Sequence, residues 1–252
     1  MSRPVLALAG VTKDYPGRGR NRVQRALDGF ELEVPAGQVV GLLGPNGSGK
    51  STALKIAAGL VWPTRGTGFV GKDPLGTRAA QRRTGYLPER GGLLEHLSAR
   101  ETLTSWLAMD RDSSKTTRDL AEAWLQRVDL VAAADQRVET FSKGMRQRLG
   151  LARALMVEPD LILLDEPFSG IDPIGVDLLV SLIREQAARG AAVVLSSHLL
   201  QRVEDVCDAV VLLAEGRMLA RGSLAELMGT PVSRLRGLDD VYRECLNGGS
   251  VT

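Results

Sequence analysis

The chain contains a glycine-rich turn, which reads Gly44-Pro45-Asn46-Gly47-Ser48-Gly49-Lys50-Ser51-Thr52. It fits the pattern G-x-x-x-x-G-K-[ST], in which glycines let successive backbone N–H groups point at phosphate oxygens. The apolar residues 38–43 before the turn predict a strand, and residues 51–60 after it predict a helix whose positive end faces the phosphates. We therefore expect Lys50 to reach the terminal phosphates of a nucleotide and the Ser51 hydroxyl to bind Mg²⁺.

Two acidic residues, Asp165 and Glu166, follow a second apolar run at residues 161–164. In open α/β sheets, ligands bind at the carboxyl ends of the strands, so these side chains are expected near the glycine-rich turn. Asp165 has the position of a Mg²⁺ partner in a P-loop NTPase, and Glu166 is placed to polarise an attacking water. A solvated acidic turn is the alternative for either residue taken alone.

Strands and helices alternate along the rest of the chain. Several runs are apolar throughout, which predicts strands buried on both faces of a mostly parallel sheet. These runs are residues 38–43, 161–164, 192–195 and 209–213. One intervening helix is predicted to begin at Asp172-Pro173 and to end at Gly190. The alternation predicts an α/β fold.

The middle of the chain is predicted to be helical without buried strands. Ser98 and Glu101 have the spacing of a capping box, and residues 121–131 form a second helical pattern after a polar break at 110–117. Ser223 and Glu226 repeat the capping spacing before a short C-terminal helix. The predicted organisation is an α/β core (residues 1–89 and 156–230), an inserted helical subdomain (residues 90–155) and a C-terminal tail (residues 231–252).

Composition excludes several classes of protein. The 252 residues are 44% hydrophobic and 25% charged with a net charge of +2, which is ordinary for a globular chain and gives no sign of nucleic-acid binding. Cys207 and Cys245 are the two cysteines, which argues against a disulfide scaffold and favours a reducing compartment. The apolar runs fall well short of the roughly 18 residues that a membrane-spanning helix needs.

A third candidate site begins at Phe141-Ser142-Lys143-Gly144-Met145. Ser142 is predicted to cap the helix that covers residues 142–156, and capping alone would explain it. A Ser-x-Gly turn at a helix N-terminus can also bind an anion.

The order of these motifs resembles that of the ATP-binding subunits of ABC transporters over nearly the whole chain. Residues 141–145 resemble the family's L-S-G-G-Q signature, with Lys143 and Met145 differing from the commonest form. Residues 169–172 resemble the D-loop, and residues 85–89 resemble the Q-loop with Glu89 in place of the usual glutamine. His198 resembles the switch histidine, and Tyr15 is similar to the aromatic residue that stacks on adenine.

The resemblance implies an ATPase core of the P-loop, ABC type with MgATP as its ligand. It assigns ATP binding to Tyr15, residues 44–52, Ser142 and Gly144; metal binding to Ser51, Glu89 and Asp165; and catalysis to Glu166 and His198. It further implies a head-to-tail pair, favoured here as a homodimer, in which Ser142 and Gly144 meet the ATP of the other subunit.

The resemblance also implies a partner and a location. We expect a separate transmembrane permease, the cytoplasmic face of the cell membrane as the location, and no nucleic-acid partner. The Pro-Glu form of the Q-loop favours the branch of drug, antibiotic, polysaccharide or ion exporters. The permease is expected to dock near residues 86–97, with Leu93, Leu94 and Leu97 receiving a short helix and with Arg90 and Glu95 at the rim.

Other functions fit less well. A soluble ABC-type ATPase of DNA repair or translation usually carries a long coiled-coil insertion, a zinc motif or two cassettes, whereas only 52 residues separate Glu89 from Ser142 here. A non-enzymatic or regulatory nucleotide-binding protein would not need Lys50, Asp165, Glu166 and His198 together. A P-loop GTPase would carry an N-K-x-D motif after the P-loop, and this chain has none.

Overall fold

A computed structural model describes residues 3–17, 23–90, 92–110, 115–197, 200–223 and 226–227. His198 and the predicted tail 231–252 lie outside the described residues. The strands are β1 (Leu6–Pro16), β2 (Val23–Val34), β3 (Val39–Leu43), β4 (Arg65–Val70), β5 (Asp73–Pro74), β6 (Thr84–Leu87), β7 (Leu161–Asp165), β8 (Ala192–Ser197), β9 (Ala209–Ala214) and β10 (Arg217–Ser223). The α-helices are α1 (Lys50–Ala57), α2 (Arg78–Arg82), α3 (Ala99–Asp110), α4 (Lys115–Arg127), α5 (Lys143–Leu155), α6 (Pro173–Ala188) and α7 (Leu200–Val206). Two 3₁₀ turns, Val131–Ala133 and Val138–Thr140, join α4 to α5.

The larger sheet has the strand order β10-β9-β3-β8-β7-β6. Its strands are parallel except for β10, which pairs antiparallel with β9 at one edge. Every residue of β3, β7 and β8 is buried, as their uninterrupted apolar sequences predicted. The carboxyl ends of β3, β7 and β8 therefore lie side by side, with Leu43 next to Ser197 and Asp165 next to Ser196.

A second, antiparallel sheet has the order β2-β1-β4-β5 and was not expected from the sequence. Its strands alternate buried and exposed positions, as in β2, because only one face meets the core. Core residues from β1 and β2 pack with α1 and with one face of the larger sheet. Residues of α3, α4, α5 and α6 pack in a second cluster on the opposite face.

The predicted helix starts are confirmed by side-chain caps. Ser142 accepts a hydrogen bond from the Met145 N–H (3.2 Å), and Asp172 accepts one from the Gly175 N–H (2.7 Å). Ser98 and Glu101 form the reciprocal bonds of a capping box. The second helix of the middle segment begins at Lys115, whereas the sequence predicted a start at residue 121. The prediction was too late because the first turn of this helix is polar and lacks apolar residues at helical spacing.

The tryptophans differ in their surroundings. Trp124 is buried in the helical segment. Trp106 is 40% exposed, since Leu103 and Leu107 form the buried stripe of α3 and Trp106 lies at its edge. Among the described residues, no helix is long and apolar enough to cross a membrane.

Candidate nucleotide-binding site

The glycine-rich turn connects the end of β3 to the start of α1, as the sequence predicted. Gly49 precedes α1 with a φ of 111°, a conformation that L side chains rarely adopt. A Cβ atom at this position would lie 2.5 Å from the carbonyl oxygen of Ala26. No side chain caps α1, so the N–H groups of its first turn remain available to a ligand.

Lys50 is buried at the centre of this turn. Its Nζ donates hydrogen bonds to the carbonyl oxygens of Gly44 (2.6 Å) and Pro45 (3.1 Å). Burial lowers the pKa of Lys50, and the carboxylates of Glu166, Asp165 and Glu89 act in the opposite direction. A bound phosphate would supply further negative charge and favour the charged ammonium.

Asp165 is the last residue of β7, and its side chain is hydrogen-bonded to the glycine-rich turn. Its Oδ1 accepts hydrogen bonds from the hydroxyls of Ser51 (2.9 Å) and Ser196 (2.7 Å). The Ser196 Oγ also accepts the Glu166 N–H at 2.9 Å, and Glu166 has a left-handed φ of 51°. Ser196 is fully buried and orients both acidic residues, a role that the sequence analysis did not assign.

A cavity of about 520 Å³ brings most of the predicted site together. Residues 46–52, Tyr15, Glu89 and Glu166 line it. Ser169, the first residue of the segment that resembles the D-loop, also lines it, and so do Gln24 and Ala26, which were missed. Gln24 lies opposite Tyr15 across the β1–β2 pair, a register that the sequence alone does not give.

Ser142 and Gly144 lie outside this cavity, at the N-terminus of α5. The neighbouring Lys143 Nζ donates a hydrogen bond to the Ser169 Oγ at 2.7 Å. A Cβ atom on Gly144 would lie 3.7 Å from the carbonyl oxygen of Gly170. Ser142 and Gly144 of one chain therefore do not line the cavity that contains its own glycine-rich turn.

The donor set suits Mg²⁺ held jointly with a ligand. Ser51 and Asp165 offer hard oxygen atoms 2.9 Å apart, and the Glu89 carboxylate lines the same cavity. Among the described residues, no group of three or more His, Cys, Asp or Glu side chains could hold a metal ion. The Ser48 hydroxyl is buried and has no hydrogen-bond partner among the described residues. A polar ligand bound in the turn would satisfy this hydroxyl.

Comparison with known proteins places the chain in a family. A profile of the family described as ABC transporter matches residues 27–169. An uncharacterised ABC transporter ATP-binding protein of Nostoc sp. is 39% identical over 229 residues, which are 90% of this chain and 68% of the relative. The chain belongs to the ABC transporter family. The Nod factor export ATP-binding protein I of Rhizobium sp. strain N33 is 34% identical over 225 residues, 88% of this chain and 72% of that protein.

Solved structures of ABC transporter ATPases share this fold. An ATP-binding subunit of an ABC transporter superimposes with a TM-score of 0.84 at 32% identity, covering 96% of this chain and 99% of the other. The ATP-binding cassette MJ0796, solved as a dimer in a post-hydrolysis state with ADP and Pi, gives a TM-score of 0.81 at 25% identity over 87% of this chain and 99% of the other.

These comparisons confirm the expected ABC-type P-loop fold and the expected ATP-binding, ATP-hydrolysing class of protein. They do not support the alternative of an ABC ATPase outside transport. The chain spans about two thirds of the first curated relatives, 68% and 66% of their lengths.

Proposed function

We propose that this ABC transporter chain binds MgATP in the 520 Å³ cavity and hydrolyses it to drive export through a separate permease. Tyr15, the glycine-rich turn, Glu89 and Glu166 line one cavity, and the Ser51 hydroxyl of that turn donates a hydrogen bond to Asp165. The proposal rests on this arrangement.

The binding roles follow from the position of each side chain. Tyr15 stacks on the base at the mouth of the cavity. The N–H groups of residues 44–52 and the Lys50 ammonium hold the phosphates. Ser51, Asp165 and Glu89 hold Mg²⁺, which neutralises charge on the phosphates.

Glu166 is the proposed general base. Its carboxylate lines the cavity, and its backbone is fixed by the Ser196 hydroxyl, so it can take a proton from a water next to the terminal phosphate. His198 is the proposed contact to the γ-phosphate and follows directly on the described end of β8.

A second copy of the chain completes each site in this proposal. Because Ser142 and Gly144 lie outside their own chain's cavity, they are available to the ATP of a partner in a head-to-tail homodimer. The N-terminus of α5 then adds its positive dipole end to the γ-phosphate.

The transport role rests on the family and on the relatives named Nod factor export ATP-binding protein I. We place the chain at the cytoplasmic face of the membrane, where residues 90–155 act as a subdomain that passes motion to the permease.

Glu166→Gln tests the proposed base. The variant should still bind ATP but should hydrolyse it about 10²–10⁴-fold more slowly, because the amide cannot accept the proton. Glu215→Gln is a matched control, since Glu215 also has a left-handed φ (49°) but lies outside the cavity lining. Near-normal turnover of Glu166→Gln, measured by phosphate release, would contradict the assignment.

A further inference from the structure

One end of the ATP cavity is formed by the antiparallel strands β1 and β2. Tyr15 of β1 and both Gln24 and Ala26 of β2 line the cavity there. Tyr15 and Gln24 lie directly opposite each other in the register of the two strands. Residues that are directly opposite in an antiparallel pair project from the same face of the sheet, with their Cβ atoms roughly 5 Å apart. The ring of Tyr15 and the amide of Gln24 therefore face a ligand together.

The neighbouring cross-strand pair, Asp14 and Arg25, projects from the opposite face. The Arg25 Nε lies 2.9 Å from the Asp14 Oδ1, and the Arg25 guanidinium also contacts Asp28 at 3.1 Å. Asp14 and Arg25 do not line the cavity. Strand alternation thus brings Gln24 and Ala26 to the cavity, and the small Ala26 side chain leaves room for a ligand beside the Gln24 amide.

One face of the Tyr15 ring is covered by Lys13. The Lys13 ammonium lies 5.0 Å from the ring centre, and its Nζ also donates a hydrogen bond to the Trp62 carbonyl oxygen at 2.8 Å. A base that stacks on Tyr15 would therefore lie against the other face of the ring. Stacking alone accepts any base, because every base has a π-face. Selection among bases requires a group that meets the edge of the base.

Gln24 supplies such a group. Its planar amide carries an acceptor, the carbonyl oxygen, beside a donor, the NH₂ group. The Gln24 side chain forms no hydrogen bond with another residue in the described part of the chain, so both groups are available to a ligand. The other β2 residue of the cavity, Ala26, has no polar side-chain atom.

We propose that Gln24 reads the edge of the base and makes the site prefer adenine nucleotides to guanine nucleotides. The proposal rests on the ATP binding proposed above and adds the selection of the base. Adenine presents an acceptor, N7, beside a donor, its 6-amino group, and these match the donor and the acceptor of one amide. Guanine presents two acceptors, N7 and O6, at the same edge, so the Gln24 carbonyl oxygen would face a second acceptor.

Nucleoside diphosphates test this contact apart from hydrolysis and dimerisation, because they lack the γ-phosphate. Calorimetry on the full chain with Mg²⁺ measures the affinities for ADP, GDP and 7-deaza-ADP, in which a C–H group replaces N7. The parent chain should bind ADP about tenfold or more tightly than GDP. It should bind ADP about threefold or more tightly than 7-deaza-ADP, which lacks one acceptor.

Two variants separate the hydrogen bonds from the shape of the side chain. Gln24→Met keeps the length of the side chain and removes both the donor and the acceptor, so its affinities for the three diphosphates should agree within about twofold. Gln24→Glu keeps an acceptor and loses the donor, so it should bind ADP and 7-deaza-ADP equally. Gln136→Met is the matched control, because Gln136 is exposed and lies outside the cavity lining. It should keep the preferences of the parent chain.

Three results would overturn the proposal while leaving the ATP site in place. They are a Gln24→Met variant that keeps the preference for ADP over GDP, a parent chain that binds ADP and 7-deaza-ADP equally, and an equal loss of preference in Gln136→Met. A parent chain that binds none of the three diphosphates would overturn the proposed ATP site and, with it, the selection of the base.

Discussion

Glu89 is the site residue at which this chain departs from the usual glutamine of its family. The carboxylate lines the ATP cavity and can hold Mg²⁺ or its water shell, and the amide oxygen of glutamine could do the same. Glu89→Ala should therefore raise the Mg²⁺ concentration for half-maximal ATPase activity several-fold, whereas Glu89→Gln should stay close to the parent chain. A Gln variant as impaired as the Ala variant would show that the negative charge itself is needed.

The residues predicted from sequence are those whose function depends on neighbours along the chain. Lys50 and Ser51 are fixed by one short turn, and Asp165 follows directly from its strand. Ser196 and Gln24 could not be found in this way. They reach the site only through strand register, Ser196 beside Asp165 and Gln24 opposite Tyr15.

At the scale of the element, the N-terminus of α3 depends on the capping box formed by Ser98 and Glu101. Ser98 accepts the Glu101 N–H at 3.2 Å, and Glu101 accepts the Ser98 N–H at 2.8 Å. Ser98→Ala should lower the free energy of unfolding by about 1 kcal/mol, because an N-terminal N–H group of the helix loses its partner. Urea denaturation measures the change.

Ser181→Ala is the control for this prediction, since Ser181 is exposed within α6 and bonds only a carbonyl oxygen of its own helix. The stability of the Ser181→Ala variant should not fall, because alanine is the better helix former.

The hydrogen bonds from Ser98 lower the pKa of Glu101. The Glu101 contribution is therefore present above the ordinary glutamate pKa and is lost as the pH falls through the lowered value. The stability difference between the parent chain and Glu101→Ala should shrink on acidification, and a constant difference would contradict this role.

Strands that are buried on both faces could be predicted from the sequence, whereas strands that contact the core on only one face could not. The strands β3, β7, β8 and β9 have nearly continuous burial and were found from apolar runs. The antiparallel sheet was not predicted, because register shifts in β1 interrupt the alternation of apolar and polar residues.

At the scale of the whole molecule, the separation of Ser142 from the ATP cavity predicts that hydrolysis requires two chains. Ser142→Asp should preserve α5, because aspartate caps a helix about as well as serine does. Its charge would repel a partner's γ-phosphate, so the variant should lose ATPase activity while each chain still binds ATP. In a Glu166→Gln background, which slows turnover, Ser142→Asp should also abolish the ATP-dependent dimer seen by light scattering.

Mixing two inactive variants distinguishes a head-to-tail pair from a site completed within one chain. Lys50→Ala removes the proposed phosphate contact of its own cavity but leaves Ser142 intact. In a mixed dimer, the cavity of the Ser142→Asp chain faces the intact Ser142 of the Lys50→Ala chain, so one of the two sites is complete. Each mixed dimer holds one complete site of two, so the mixture should recover part of the parent ATPase rate, which would be about a quarter for random pairing of equal amounts with independent sites. The rate should rise when the second variant is added to the first. No recovery from a mixture that dimerises on ATP would mean that both sites must be intact together. No ATP-dependent dimer of the Glu166→Gln chain, in which Lys50 and Ser142 are both intact, would contradict the paired architecture.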